Sequence, residues 1–282
     1  MSDTLRGLIR QAGKLFSQRD IETSALDARL LLQAASSMGH EDIVAEPDLI
    51  LPADVTARFW SLVERRCAFE PIARILGTRE FFGRNFRVTP AVLDPRADTE
   101  TLIEAALALA RGKGPVRILD LGTGSGAIAV TLLAELPGAI AVATDLSVAA
   151  LEVAKGNAGV LGVADRASFM QANWFDGVDG QFDLIVSNPP YIALGDIAGL
   201  AADVRDFDPV RALDGGPDGL EAYRRIASGA GDHLGPEGHV VLEIGAGQEA
   251  RVNGLFEARG FASESRHFDL AGHVRCLVFN RS

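Results

Sequence analysis

Val116-Arg117-Ile118-Leu119-Asp120-Leu121-Gly122-Thr123-Gly124-Ser125-Gly126-Ala127-Ile128-Ala129-Val130 is the stretch on which the reading of this chain turns. An apolar, β-prone run stops at three glycines alternating with Thr123 and Ser125, and apolar residues resume beyond them. A buried strand that empties through a glycine-rich turn into a helix is a unit of the open α/β sheet, where ligands bind beyond the carboxyl ends of the strands. Glycine lets backbone approach a ligand without a Cβ in the way, and the amides of a helix start can face an anionic group.

Working outward, helix and strand patterns alternate from residue 97. A helix from Asp98 precedes the quoted strand and a helix from Ser125 follows it; then come the strand AIAVATD (139–145), a helix from Ser147, and the strands ASFMQA (167–172) and FDLIVS (182–187). Such alternation predicts a parallel sheet covered by helices. HVVLEIG (239–245), a helix through Val252 to Ala258, ASESRHF (262–268) and VRCLVFN (274–280) complete it, and the short turn at Ala271 and Gly272 predicts an antiparallel last pair.

Upstream the pattern is different. Leu5, Leu8, Ile9, Ala12 and Leu15 recur at helical spacing, a second helix is expected from Ser24 with Ser24 and Asp27 as a capping-box-like pair, and a third follows Pro52 with Phe59, Leu62 and Val63 on one side. IARILG, REFFG and NFRVTP, punctuated by Gly77, Gly83 and Pro90, read as a short β-rich connector. The expected division is a helical bundle over 1–71, a hairpin linker over 72–92 and the α/β domain over 93–282. A small helical bundle of this kind binds or positions a partner rather than reacting with it.

Composition narrows the function classes. The 282 residues carry 38 acidic and 27 basic side chains, a net charge of -11, so free nucleic acid is not the expected partner. Arg74, Arg79, Arg84 and Arg87 make one local basic stretch, read as a solvated face. Cys67 and Cys276 lack the spacing of a metal knuckle or redox pair and are expected as buried thiols in a reducing cytosol. No leader pattern opens the chain and no apolar run reaches about 18 residues, so a cytoplasmic protein is expected. The five histidines show no metal spacing, and no metal is expected.

The glycine loop leaves two ligands open. Gly122, Gly124 and Ala127 satisfy the looser dinucleotide fingerprint, with Asp145 placed about 20 residues on to read a ribose diol. Asp120 favours S-adenosylmethionine over NAD, because a carboxylate beside the loop suits an ammonium and a sulfonium and repels a pyrophosphate. The alternative is that Asp120 is a structural acid holding loop amides.

FDLIVS runs directly into Asn188, Pro189, Pro190 and Tyr191. Two prolines lock φ and donate no hydrogen bonds, so the carbonyls around them and the Asn188 oxygen form a rigid set of acceptors. A planar amide or amino nitrogen is a poor nucleophile; acceptors gripping its hydrogens orient it and favour the positive charge that develops on it. Tyr191 is placed to lie flat against the planar group. The bland reading is an Asn-Pro turn closing a strand.

Together the segments PIARILGTREFFGRNFRV (71–88), VLDPRADTETLIE (92–104), DLGTGSGAIAV (120–130) and SNPPYI (187–192) resemble the release factor glutamine methyltransferases, the HemK/PrmC family. The NPPY motif alone is shared with adenine methyltransferases; the linker and PR-x-x-TE make the resemblance specific. It implies a helical N-terminal domain, a β-hairpin linker and a seven-stranded Rossmann-like domain. It implies also that Gly122, Thr123, Gly124, Ser125, Gly126 and Asp145 hold the methionine and ribose parts of S-adenosyl-L-methionine, with Trp174 at the adenine. Asn188, which also borders the cofactor, would with Pro189, Pro190 and Tyr191 hold the glutamine amide of the Gly-Gly-Gln loop of peptide chain release factors. Asp94, Ala97 and Asn173 depart from the family's pattern, Asn173 standing where an acid meets the adenine amino group. Half-burial for packing is the other reading of Trp174, and Asp98, Thr99 and Glu100 serve either as site lining or as a helix cap. Rival readings are glutamine methylation of a ribosomal protein, adenine-N6 methylation of nucleic acid, and nicotinamide-dependent oxidoreduction. A monomer is expected.

Overall fold

The computed structural model describes residues 3–281 and divides into two compact units, one reaching to Thr78 and including Ala202–Phe207, the other comprising Arg79–Ala201 and Asp208 onward.

The first unit holds α1 (Leu5–Ser17), α2 (Ser24–Ser36), α3 (His40–Ala45), α4 (Ala53–Cys67) and α5 (Ile72–Leu76). Thr4, in extended conformation, caps α1 by accepting from the Gly7 amide at 3.2 Å, and Leu5, Leu8, Ala12 and Phe16 make its buried face. These pack with Leu31, Leu32, Phe59 and Val63 into one core. α2 begins at Ser24 as expected, but the capping box does not form. Ser24 Oγ turns back to donate to the Ile21 carbonyl, and the Asp27 carboxylate is buried against Arg66 of α4, 2.7 Å away. A buried guanidinium needs that charge more than the helix start does.

IARILG is a second correction, because Ile72–Leu76 is a turn of helix, not a strand. Pro71 presets φ at its start, Gly77 ends it at φ 72°, and Ala73 and Ile75 are buried. A short apolar run carries no periodicity that distinguishes strand from helix. The hairpin is confined to β1 (Thr78–Phe81) and β2 (Arg84–Arg87), turning through Phe82 and Gly83, both with positive φ, as a two-residue hairpin turn requires.

The second unit continues with α6 (Glu100–Ala110), β3 (Arg117–Leu121), α7 (Ala127–Glu135), β4 (Ile140–Asp145), α8 (Val148–Val160), β5 (Ala167–Gln171) and β6 (Phe182–Ser187). After α9 (Ala202–Arg205), which groups with the first unit, come α10 (Glu221–His233), β7 (Leu234–Glu243), α11 (Glu249–Glu257), β8 (Phe261–Phe268) and β9 (Val274–Arg281). The sheet runs β5-β4-β3-β6-β7-β9-β8, parallel from β5 to β7; β8 and β9 pair antiparallel as the turn between them predicts, and β9 is antiparallel to β7 as well.

Both faces of this sheet are buried. Ile118, Leu184, Val186 and Val241 point into a core with α6 and α7, while Leu119, Ile185, Val240 and Leu242 point into another with α10 and α11. That is why its strands read as apolar runs rather than as alternation. α10, whose Tyr223, Ile226, Ala227 and Ala230 are buried, is an element the sequence reading left unassigned. β3 lies between β4 and β6, so the chain leaves it in opposite directions and opens a crevice at the strands' carboxyl ends. Among the described residues no helix is long and apolar enough to cross a membrane.

Candidate active site

The crevice is a cavity of about 390 Å³ at the ends of β3, β4 and β6, a size typical of small-molecule sites. Gly122, Thr123, Gly124 and Ser125 form one wall. The loop's backbone demands glycine: φ is 56° at Gly124 and 80° at Gly126, and a Cβ on Gly126 would stand 3.1 Å from that of Ala154 on α8.

Most of the loop's own donors are already engaged. Thr123 N donates to the Thr144 carbonyl at 2.8 Å, Gly126 N to Thr123 at 2.9 Å, and Gly124 N to Asp145 Oδ2 at 2.9 Å. The loop therefore offers an anion few free amides. Asp145, which lines the cavity, receives the Ser147 amide on its other oxygen at 2.8 Å, so each oxygen keeps acceptor capacity. Ser147 caps α8 by accepting from Ala150 N at 3.2 Å.

Asp120 does not line this cavity. It is fully buried, and its Oδ2 accepts from the Thr123 hydroxyl at 2.6 Å and the Ala129 amide at 3.2 Å. Burial pushes its carboxyl up to about 7 against the opposing pull of those two hydrogen bonds. Of the two readings open to it, the structural acid is the one the geometry bears out. The electrostatic preference drawn from Asp120 for one ligand over the other thus loses its basis.

At the far end lie Leu146, Ala172, Asn173 and Trp174. Trp174 is half-buried, packing on the α10 core while also lining the cavity. Its φ of 59° is rare for a bulky residue, and such backbone clusters at ligand sites.

Asn188 and Pro190 close the opposite end, whereas Pro189 is buried and neither it nor Tyr191 contributes to the lining. Tyr191 leans on the α10 core instead, with its hydroxyl 3.4 Å from Glu243 Oε1 and its carbonyl taken by Gln248 Nε2 at 2.9 Å. Burial raises its phenol to about 12. Asn188 Nδ2 donates to Thr99 Oγ1 at 3.1 Å, and Thr99 in turn donates to Glu243 Oε2 at 2.6 Å. Glu243, the last residue of β7, is 1% exposed, and burial lifts its carboxyl to about 7 although Thr99 and Arg275 pull the other way. Thr99 therefore serves the site and makes no side-chain cap; Asp98 pairs with Arg275 at 3.2 Å and Glu100 accepts from Phe82 N at 2.9 Å.

Sequence reasoning missed Glu243, Arg96 and Arg211. Arg96 lines the cavity and is ion-paired with the buried Asp208, and exposed Arg211 lines it as well. An acid ending an otherwise apolar strand, HVVLEIG, was the available signal for Glu243. Among the described residues no group of three or more His, Cys, Asp or Glu side chains is disposed to hold a metal.

Known proteins match on both units. The family model for the PrmC N-terminal domain fits residues 7–77 and that for the methyltransferase small domain fits 98–202. A release factor glutamine methyltransferase from Cereibacter sphaeroides is 48% identical over 269 residues, covering 95% of each chain. Its counterpart from Bradyrhizobium diazoefficiens is 45% identical, covering 91% of this chain and 88% of the other. Among solved structures, ribosomal protein L11 methylase from Lactobacillus delbrueckii subsp. bulgaricus shares the fold at a TM-score of 0.51 and 22% identity, over 72% of this chain and 88% of that one.

Proposed function

Because the chain belongs to the release factor glutamine methyltransferase family, we propose that it transfers a methyl group from S-adenosyl-L-methionine to the side-chain amide nitrogen of the glutamine in the Gly-Gly-Gln loop of peptide chain release factors. The observation that carries this reading is Asn188, whose amide nitrogen is engaged by Thr99 and whose oxygen is left as an acceptor at one end of the cavity. Bound there, S-adenosyl-L-methionine supplies an electrophilic methyl group on a sulfonium.

The chain's own residues do the rest. Gly122, Thr123, Gly124, Ser125 and Gly126 form the wall for the methionine part, Asp145 accepts from the ribose hydroxyls, and Trp174 with Asn173 borders the adenine. Asn188 Oδ1 accepts from the glutamine amide, which aims the nitrogen and favours positive charge on it, while Pro189 and Pro190 hold the backbone beside it rigid. Tyr191 backs this set from the core side. The helical unit docks the release factor, with the hairpin of β1 and β2 as linker to the catalytic domain.

A nicotinamide dinucleotide suits the site poorly, since Thr123, Gly124 and Gly126 have already committed amides that a pyrophosphate needs. A nucleic acid base as acceptor is disfavoured by the net charge of -11. Mass spectrometry of a release factor co-expressed with this chain tests the proposal: methylated glutamine in the Gly-Gly-Gln loop is expected, and an unmodified loop overturns it. Methyl incorporation into purified ribosomes but not release factors would point to a ribosomal protein instead.

A further inference from the structure

We propose that Thr99 and Glu243 are positioning residues that set the polarity of a hydrogen-bond chain and so hold the Asn188 carboxamide with its oxygen toward the acceptor. The inference rests on the proposed amide methylation, but its basis is the geometry of three side chains drawn from three elements. Thr99 has a single hydroxyl proton, which it donates to Glu243 Oε2 at 2.6 Å. With that proton committed, Thr99 Oγ1 can only accept, and the group 3.1 Å from it on Asn188 must be a donor. Nδ2 therefore faces Thr99 and Oδ1 faces away from it, the only arrangement that presents an acceptor to an amide hydrogen.

The opposite end of the acceptor tetrapeptide converges on the same carboxylate through the Tyr191 hydroxyl, 3.4 Å from Glu243 Oε1. Glu243 is itself held, because its carbonyl accepts from Tyr223 at 3.0 Å and its residue pairs in register with Cys276 of β9. An asparagine without this chain would lose its oriented amide: the two ends of a carboxamide have nearly the same shape, and only hydrogen-bond polarity tells them apart. With the orientation lost, an amino group would face the substrate's amino group for part of the time.

Three variants and two readouts test this. Thr99→Val keeps the shape and removes the hydroxyl, whereas Thr99→Ser keeps the hydroxyl. With release factor as acceptor, Thr99→Val is expected to lower kcat at least tenfold with KM for S-adenosylmethionine within about threefold, and Thr99→Ser to recover most of the rate. A kcat within twofold of the parent in Thr99→Val, or a serine variant as slow as the valine one, overturns the proposal. The second readout needs no substrate. In protein labelled with 15N-asparagine, the Asn188 side-chain amide signal, assigned by its loss in Asn188→Asp, is expected to show slow proton exchange in the parent and in Thr99→Ser and fast exchange in Thr99→Val. Equal exchange in all three overturns the proposal. If the parent methylates no release factor while the amide signal still depends on Thr99, the functional reading fails and the positioning role stands. If methylation occurs and neither readout responds to Thr99→Val, the positioning role fails alone.

Discussion

Asp27 and Arg66 meet at 2.7 Å inside the helical unit, the acid from the first turn of α2 and the guanidinium from the last turn of α4, with side chains 5% and 10% exposed. Arg66 also donates to the Glu70 carbonyl at 3.2 Å, so the pair is tied to the chain beyond α4. Removing one partner strands a buried charge. Asp27→Ala is expected to destabilise the helical unit by about 3–5 kcal/mol in urea unfolding. The double change Asp27→Leu with Arg66→Met should recover much of that loss, since apolar replacement of both members of a buried pair is often close to neutral. A single-variant loss below about 1 kcal/mol would show that the pair is solvated in solution.

Asn188 gives the most direct test of the site. Asn188→Ala removes the acceptor while leaving the glycine loop and Asp145 in place, so a fall in kcat of a hundredfold or more is expected, on the order of 3 kcal/mol of transition-state stabilisation. Calorimetry should find S-adenosylmethionine affinity within about threefold of the parent. Equal loss of binding and turnover would assign Asn188 to the cofactor rather than to the acceptor.

Gly126→Ala addresses the loop. Both the φ of 80° and the approach to Ala154 oppose a side chain here, so a loss of roughly 1–3 kcal/mol is expected in thermal or urea unfolding. Cofactor affinity should fall with it, because the loop that walls the cavity must shift. Unchanged stability would mean that α8 yields freely at Ala154.

The pH dependence of stability reports Asp120. Folded, this carboxyl keeps its proton up to about pH 7, whereas unfolded it ionises near 3.8. Its contribution is thus fully present below the unfolded value and lost as pH rises through 7. In Asp120→Asn that dependence is absent. The stability of the variant relative to the parent should therefore rise by roughly 2–4 kcal/mol between pH 4 and pH 8, whatever offset the substitution itself carries. Urea titrations of both proteins across this range check it, and a constant difference would place Asp120 in contact with water.

Much of the second unit was legible because its signals are local. Glycine at positive φ, Ser147 before a helix, apolar runs of strand length and a short turn between β8 and β9 all act within a few residues, so they read the same before and after folding. The tetrapeptide Asn188 to Tyr191 was equally visible, since proline's constraints travel with the residue. Where the reading failed, a distant partner intervened. Asp27 caps nothing because Arg66 lies thirty-nine positions away, Ile72–Leu76 turns into helix where burial decides, and Tyr191 leans toward Glu243 rather than over the cavity.

From residues alone came most of the order of helices and strands, the parallel sheet and the place of the glycine turn. Which carboxylates line the cavity and which hold the frame was decided only by packing. Asp120 is the next-to-last residue of β3 and Glu243 the last of β7, yet one anchors the glycine loop and the other terminates a chain of hydrogen bonds to Asn188. Hydrogen bonds depend on distances across the sheet, and those distances exist only once the strands are side by side.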